Sequence, residues 1–155
     1  SNKKKLCILF NDSTNRTTKL TKCPSKESAT WDFTDCPDLA QTICVVAAVK
    51  NITFTLTGIE SLKVKETDRV LALQNELAKL GSQLVELEKN HLYQLSGDFS
   101  GRDTCPEIET YDDHRMAMAF APVGLLCELI IHEPGVVAKS YPSFWDHIHK
   151  ILKSA

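Results

Sequence analysis

The chain has 155 residues, the length of one ordinary domain, and its 18 basic and 20 acidic residues give a formal net charge of −2. A nucleic-acid-binding protein that acts through bulk charge needs a basic surplus, so this balance argues against that class. Hydrophobic residues make up 43% and charged residues 25%, a globular composition that excludes a disordered chain. No apolar run approaches the ~20 residues that span a bilayer, so we expect no membrane partner.

The start of the chain and its cysteines predict a cytoplasmic protein. Ser1 and Asn2 are followed by three lysines without a secretory signal. The missing Met suggests either residues left by cloning or a cut from something longer. Six cysteines, at positions 7, 23, 36, 44, 105 and 127, form no Cys-x-x-Cys pair and match no zinc spacing. We therefore expect reduced cysteines, several of them in the core, and no metal site.

The first part of the chain predicts two strands separated by a polar stretch. Residues 6–10 are apolar and predict a strand, whereas residues 11–29 are polar, with one weak strand near 19–22, and indicate a hairpin or a loose loop. Trp31 and Phe33 alternate with polar residues, which is typical of a half-buried strand.

Residues 35–50 predict a buried helix. Asp35 is a candidate N-cap, and Pro37 is tolerated in a first turn because its missing N–H would be unpaired there. The helix is apolar almost all round, which indicates burial. Residues 52–56 are rich in β-branched and aromatic side chains and predict a strand that ends in a turn at Gly58.

The next elements are an amphipathic helix and a hairpin. The helix begins near Thr67 and ends at Gly81, a favourable residue after a helix C-terminus. A hairpin is predicted from strands 84–87 and 92–95, which meet across Asn90. The remaining predictions are a strand at 108–111, a buried helix from Met116 to about Cys127 capped by Asp112 and Asp113, a strand at 129–132, a turn at Pro134 and Gly135, and an amphipathic helix at 141–152.

This order predicts the α/β (α+β) class and an internal repeat. Asp38, a buried helix, a strand, a glycine turn, Lys65 and an amphipathic helix are followed about 75 positions later by the same series with Asp113 and Lys139. We expect two tandem units of one design.

Charged residues gather where these helices begin, and they predict an anion site. Arg69, His114 and Arg115 lie in first turns, where the helix dipole disfavours cations by roughly 0.3–1 kcal/mol each. An anionic ligand would resolve that conflict, since the free N–H groups and the guanidinium groups would share one target. The alternative for one cluster is a surface ion pair between Glu66 and Arg69, spaced i,i+3.

Four motifs carry a resemblance to the 5-enolpyruvylshikimate-3-phosphate synthase family. They are Lys65-Glu66-Thr67-Asp68-Arg69 with Glu76-Leu77-Ala78-Lys79-Leu80-Gly81, Thr110-Tyr111-Asp112-Asp113-His114-Arg115-Met116-Ala117-Met118-Ala119-Phe120, Pro37-Asp38-Leu39-Ala40-Gln41-Thr42, and Lys139-Ser140-Tyr141-Pro142-Ser143-Phe144-Trp145. They occur in the family's order and cover most of the chain.

The resemblance implies a fold and a place in a longer protein. Members have two domains of three βαβαββ units each, an inside-out α/β barrel-like arrangement, with the active site in the cleft between the domains. The chain resembles only about the C-terminal third of such a protein. We expect one partial domain over residues 1–155, with repeat units at about 30–100 and 105–155 and with residues 1–29 as the remainder of a preceding hairpin.

The reaction implied is transfer of the enolpyruvyl group from phosphoenolpyruvate to the 5-hydroxyl of shikimate 3-phosphate, with release of phosphate. By motif position, Arg69, Arg115 and Lys139 hold phosphoenolpyruvate and Lys65 contacts the shikimate substrate. Asp38 accepts the hydroxyl proton and Glu66 moves the proton at the methylene carbon.

The resemblance also implies supporting roles for the remaining motif residues, and it leaves two alternative functions. Asp113 and His114 orient the arginine and cap the helix, and Ser61 stands where many members have a substrate-contacting Asn. No cofactor or metal is implied. A related fold acts on UDP-N-acetylglucosamine, but the Lys-Glu-Thr-Asp-Arg and Asp-His-Arg strings favour the shikimate enzyme. A non-enzymatic alternative is that the isolated chain is an inactive folded module that self-associates through exposed apolar surface, whereas the parent enzyme is monomeric.

Overall fold

The structure is a computed structural model that describes residues 7–8, 20–21, 27–65, 67–99 and 105–154. Its strands are β1 (Cys7–Ile8), β2 (Leu20–Thr21), β3 (Ser28–Asp32), β4 (Thr53–Thr57), β5 (Ser82–Glu88), β6 (Leu92–Gly97), β7 (Glu107–Ile108) and β8 (Ile130–Ile131). Its α-helices are α1 (Ala40–Val49), α2 (Arg69–Lys79), α3 (His114–Phe120) and α4 (Phe144–Ser154). Within the described ranges, 3₁₀ helices lie at Pro37–Leu39, Glu60–Val64, Ala121–Leu125 and Pro134–Lys139. The mixed order of strands and helices confirms the α/β class.

The larger sheet is built from one crossover and one hairpin. Its strand order is β3-β4-β6-β5, with β3 parallel to β4 and β6 antiparallel to both β4 and β5. Helix α1 connects the two parallel strands, which is the arrangement that a parallel pair requires. Asn90 takes a positive φ of 53° at the hairpin tip, so the hairpin predicted across this residue is confirmed.

The parallel pair joined through a helix and the antiparallel pair both recur in two smaller, two-stranded sheets. Strand β7 pairs in parallel with β8, and α3 lies between them in the chain, as α1 lies between β3 and β4. Strands β1 and β2 pair antiparallel, as expected for a hairpin, while the chain between them falls outside the described residues. The weakly predicted strand near residue 20 is therefore present.

One hydrophobic core joins both parts of the chain. It contains Leu56, Leu77 and Tyr93 from β4, α2 and β6, and Met116 and Phe120 from α3. Each of these residues is 0% exposed. Helices α1 and α3 pack against each other across this core. The helices that begin at the predicted anion site are consequently held on one shared apolar layer.

Helix α1 differs from its prediction in two ways. A 3₁₀ turn precedes it, and the residue before that turn is Cys36 without a side-chain capping bond, so the Asp35 cap is wrong. Its apolar surface is also not fully buried, because Leu39, Ile43 and Val46 remain 51%, 40% and 41% exposed. These side chains, at helical spacing, form an apolar stripe that nothing covers in the part of the chain that the structure describes.

Helix α2 begins and ends where its sequence signals predict. The Asp68 carboxylate accepts a hydrogen bond from the Leu71 N–H at 3.0 Å, which makes Asp68 the N-cap and Arg69 the first helical residue. Gly81 follows the helix with a φ of +77°, and a Cβ there would lie 2.6 Å from the carbonyl oxygen of Asp98. Only glycine fits this end of the helix.

The segment around α3 differs most from the prediction. The expected strand at 108–111 ends at Ile108, because Tyr111 and Asp112 both have a left-handed φ of 54°. The expected long helix ends at Phe120 and continues as a 3₁₀ helix that contains Pro122, which lacks the N–H that an α-helix needs. The predicted turn at Pro134 opens a 3₁₀ helix that extends to Lys139.

Trp31 also departs from expectation, being 58% exposed, whereas Phe33 just beyond β3 is buried. The four cysteines whose side chains are described, at 36, 44, 105 and 127, are free thiols. Among the described residues, no helix is both long enough and apolar enough to cross a membrane.

Candidate active site

Arg69 is a buried cation at the first position of α2. Only 3% of the surface of Arg69 is exposed to solvent. The Nε atom donates to Asp113 Oδ2 at 2.5 Å, and Nη1 donates to Asp38 Oδ1 at 3.1 Å. Burial of an unpaired guanidinium is costly, so two carboxylates from elsewhere in the chain stabilise it. Arg69 is therefore a buried side chain and not a surface one, while Glu66 lies outside the described residues.

Asp113 binds the starts of α2 and α3 together. Its carboxylate caps α3 by accepting the Arg115 N–H at Oδ1, 2.8 Å away, while Oδ2 takes the bond from Arg69. Gln41 of α1 donates its Nε2 to the same Oδ2 at 3.4 Å. Asp113 is 2% exposed, so it is a fixed anion at the meeting point of three helices.

Asp38 bridges the two arginines. Arg115 Nη2 donates to Asp38 Oδ2 at 2.9 Å, and Arg69 donates to the other oxygen of the same carboxylate. Two cations and two anions thus alternate across the starts of α2, α3 and the 3₁₀ turn before α1. The Asp38 side chain is 41% exposed, so, unlike Asp113, it lies at the solvent side of the cluster.

Two polar atoms in this cluster lack partners. Among the described residues, neither Arg115 Nε nor Gln41 Oε1 has a hydrogen-bond partner, although both atoms are buried. Leaving a buried donor unpaired costs roughly 1–3 kcal/mol, and more when the group is charged. Arg115 Nε is therefore a donor that the carboxylates of the cluster do not use, as expected at a site for an anion, whereas Gln41 Oε1 is an unused acceptor.

A cleft of about 630 Å³ opens beside this cluster. His114, Asp113 and Lys139 line it, together with Asp112, Glu133, Gly135, Val136 and Ser140. His114 Nδ1 lies 3.8 Å from Asp113 Oδ1. Lys139 is exposed at the end of its 3₁₀ helix, so its ammonium group can reach an anion in the cleft.

The other predicted site residues lie apart from this cluster. Ser61 and Lys65 are exposed in and just after the 3₁₀ helix Glu60–Val64, and neither has a side-chain partner among the described residues. Glu66 lies outside the described residues. The structure thus brings together Asp38, Arg69, Asp113, His114 and Arg115. It places Lys139 on the cleft that Asp113 and His114 also line.

Lys63 anchors the segment that carries Ser61 and Lys65. Its ammonium donates to Glu86 Oε1 at 2.9 Å and to Asn90 Oδ1 at 2.8 Å, and lies 5.5 Å from the centre of the Tyr93 ring. The pKa of Glu86 falls to about 2, because the Asn90 N–H, Lys63 and the Tyr93 hydroxyl all donate to its carboxylate. This network fixes the 3₁₀ helix on the β5–β6 hairpin.

Sequence reasoning missed two buried polar residues beside the site. Gln41 is 0% exposed, and its motif alone did not identify it as a buried polar residue. An amide on an otherwise apolar helix is nevertheless a signal for a buried hydrogen-bond partner. Glu76 is also 0% exposed, on the helix that begins at Arg69. A glutamate on an amphipathic helix normally lies on the polar face, so no local pattern indicates the burial of Glu76.

The fold and the cluster together define an α/β protein in which two arginines and two aspartates meet at the starts of its helices. The sequence profile of EPSP synthase (3-phosphoshikimate 1-carboxyvinyltransferase) matches residues 10–148. The chain therefore belongs to the EPSP synthase family, which confirms the resemblance seen in its motifs.

Individual relatives agree with this assignment. A 3-phosphoshikimate 1-carboxyvinyltransferase of Bacteroides fragilis is 50% identical over 120 residues, which is 77% of this chain and 29% of the relative. One from Methanospirillum hungatei is 38% identical over 80% of this chain and 28% of the relative. The structure of EPSP synthase from Acinetobacter baumannii superposes with a TM-score of 0.59 at 30% identity, over 74% of this chain and 27% of that one. The chain thus spans less than a third of the length of these relatives.

Proposed function

We propose that this chain supplies one wall of an active site that transfers the enolpyruvyl group of phosphoenolpyruvate to the 5-hydroxyl of shikimate 3-phosphate. The observation that carries the proposal is the position of Asp38 between Arg69 and Arg115. Two guanidinium groups converge on one partly exposed carboxylate, and one of them keeps an unpaired buried Nε. Guanidinium groups bind carboxylate and phosphate through paired N–H donors, and phosphoenolpyruvate has both groups.

Substrate binding would change the partners of Asp38. Phosphoenolpyruvate anions that pair with Arg69 and Arg115 take over the donors that Asp38 uses in this structure. Asp113 stays, because it is buried and caps α3. Asp38 is then free to accept the proton of the 5-hydroxyl as that oxygen attacks C2 of phosphoenolpyruvate.

The other residues complete the addition and elimination. Lys139 contributes a third cation for phosphoenolpyruvate, and Lys65 and Ser61 face the shikimate substrate. Glu66 donates a proton to the methylene carbon during addition and removes one from the resulting methyl group during elimination. Phosphate then leaves C2 and takes up the proton that Asp38 accepted, and the enolpyruvyl double bond re-forms. His114 and Asp113 hold the arginines in place.

The domain organisation is a proposal of the same kind. Residues 30–100 and 105–155 form two units of one repeat, and residues 1–29 belong to a preceding hairpin. Support comes from the two parallel strand pairs, each connected through a helix that begins at the cluster. The isolated chain lacks the opposing wall and turns nothing over, since positioning and water exclusion both need two walls. The apolar stripe of Leu39, Ile43 and Val46 is the surface through which it would self-associate.

Arg115→Ala in the complete enzyme tests the proposed function. We expect kcat/KM for phosphoenolpyruvate to fall by about 10²-fold or more, as for loss of one preorganised donor to a developing anion. Arg115→Lys keeps the charge but loses the paired donors, and should recover little. Lys150→Ala, which removes an exposed cation from α4, serves as the matched control. Wild-type rates for Arg115→Ala would contradict the proposal.

A further inference from the structure

Glu76 is a fully buried carboxylate outside the proposed catalytic set. Its Oε1 accepts the Tyr111 hydroxyl at 2.8 Å, and its Oε2 accepts the Glu109 N–H at 3.1 Å and the Lys79 ammonium at 2.7 Å. Lys79 also donates to the carbonyl oxygen of Glu107 at 2.8 Å. Glu109 and Tyr111, which bind Glu76, both lie in the segment 107–111 shortly before Asp113. Lys79 belongs to α2, but it binds the same segment through the Glu107 carbonyl oxygen.

Helix α2 therefore binds the chain between Glu107 and Asp113 at two points. Arg69 and Glu76 are seven residues apart, which is about two helical turns, or ~10.5 Å along the axis, so both side chains lie on nearly the same side of the helix. Arg69 holds Asp113 at one end, and Glu76 holds Glu109 and Tyr111 at the other. Two points of attachment fix the direction of a segment, whereas one point would let it pivot.

The segment between these points has a backbone that needs support. Tyr111 and Asp112 are consecutive non-glycine residues with left-handed φ values of 54°. Asp tolerates this region better than a bulky aromatic residue does, so Tyr111 is the strained member of the pair. Its hydroxyl bond to Glu76 offsets that strain, and Asn75 Nδ2 adds a longer contact to the same hydroxyl at 3.4 Å.

Burial also keeps the Tyr111 hydroxyl in its donating form. Removal of the ring from water raises its pKa, and the adjacent Glu76 carboxylate raises it further, although Asn75 opposes this effect. The phenol thus remains protonated throughout the neutral range, and its proton is available to Glu76.

We propose that Glu76 and Tyr111 are positioning residues for the anion site, acting through Asp113 to set how Arg69 and Arg115 face the ligand. Asp113 directly follows the strained pair, accepts from the Arg69 guanidinium and caps the backbone N–H of Arg115. A rotation of the 109–112 turn therefore displaces the Arg69 side chain and the start of the helix that carries Arg115. This inference rests on the proposed function only in naming phosphoenolpyruvate as the anion.

The test compares Tyr111→Phe with Gln74→Ala in the complete enzyme. Gln74 belongs to the same helix, but its Nε2 donates to the carbonyl oxygen of Leu84 at 2.9 Å, which ties α2 to β5 and not to the site. We expect Tyr111→Phe to raise KM for phosphoenolpyruvate about tenfold with a smaller change in kcat, because displaced arginines bind the ground state and the transition state less well by similar amounts. Gln74→Ala should lower Tm and leave both kinetic constants unchanged.

A double-mutant cycle with Asp113→Asn then shows whether the effect passes through Asp113. We expect the effect of Tyr111→Phe on KM to shrink strongly in the Asp113→Asn background, because residues that act through one partner are not additive. The same fold-change in both backgrounds would overturn the inference, as would unchanged KM in Tyr111→Phe with a lowered Tm, since that pattern describes a structural role only.

A readout without turnover separates this inference from the proposed function. The ¹⁵N-labelled arginine side chains of the same enzyme report the surroundings of Arg69 and Arg115 directly. We expect their Nε–H resonances to shift in Tyr111→Phe and to stay in place in Gln74→Ala. An enzyme that binds no phosphoenolpyruvate but shows these shifts would contradict the proposed function alone, and unshifted resonances would contradict the positioning role.

Discussion

Arg69 and Asp113 form an ion pair that is shielded from solvent, with Nε 2.5 Å from Oδ2 and side-chain exposures of 3% and 0%. The pair joins the first residue of α2 to the N-cap of α3. It therefore fixes the relative position of two helix starts that the chain separates by 44 residues. The Gln41 amide and the Arg115 N–H also donate to Asp113, and Asp38 accepts from Arg69, so these contacts all attach to the pair.

Loss of one partner of this pair should destabilise the fold. We expect Asp113→Ala to lower the free energy of unfolding by about 3–5 kcal/mol, because it leaves a buried guanidinium less fully paired and removes the cap of α3. Glu107→Gln is the control, since Glu107 pairs with His132 at the surface and should contribute less than about 1 kcal/mol. If urea titration shows the same loss in the free energy of unfolding for both variants, the structural role of the Arg69–Asp113 pair is contradicted.

Substitution of Asp38 should separate chemistry from binding. In the complete enzyme, Asp38→Asn removes the proposed proton acceptor but keeps the size of the side chain. We expect turnover to be abolished, while phosphoenolpyruvate still binds because Arg69 and Arg115 are retained. Isothermal titration alongside the rate assay measures both quantities. A variant that turns over normally, or one that loses binding alone, would show that Asp38 is not the base.

The Glu86 network predicts a pH-dependent contribution to stability. The folded-state pKa of Glu86 is lowered from 4.5 to about 2, so its carboxylate stabilises the folded state fully above pH 4.5 and loses this contribution as the pH falls toward 2. Glu86→Gln should therefore lower Tm at pH 7 and have little effect near pH 2. Glu88→Gln, on the same strand, is the control. A Tm difference independent of pH would disprove the carboxylate's role.

The sequence predicts those parts of the fold that depend on local signals. Gly81 ends α2 because only glycine fits its backbone, and Asn90 marks the hairpin tip for a similar reason. The segment around Tyr111 could not be predicted this way. Its left-handed backbone is held by Glu76, a residue distant in sequence, so a local reading gave a strand there. Pro122 did carry a local signal that the α-helix would end, and the apolar pattern obscured it.

The candidate site shows the same division. First-turn cations predicted an anion site at Arg69 and Arg115, because the helix dipole makes such positions unfavourable without an anion. The pattern could not show that the Asp38 carboxylate would pair with both guanidinium groups. That contact joins residues 77 positions apart and depends on tertiary packing. The roles of Lys65, Lys139 and Ser61 stay predictions, as does that of Glu66, which the structure does not describe.

Release of phosphate from phosphoenolpyruvate and shikimate 3-phosphate tests the central claim most directly. The assay is run with this chain alone, with the rest of the enzyme alone, and with both together, and UDP-N-acetylglucosamine replaces shikimate 3-phosphate as the control acceptor. We predict release only when both parts and shikimate 3-phosphate are present. Release by this chain alone would contradict the two-walled site, and an enzyme that works only with UDP-N-acetylglucosamine would contradict the proposed reaction.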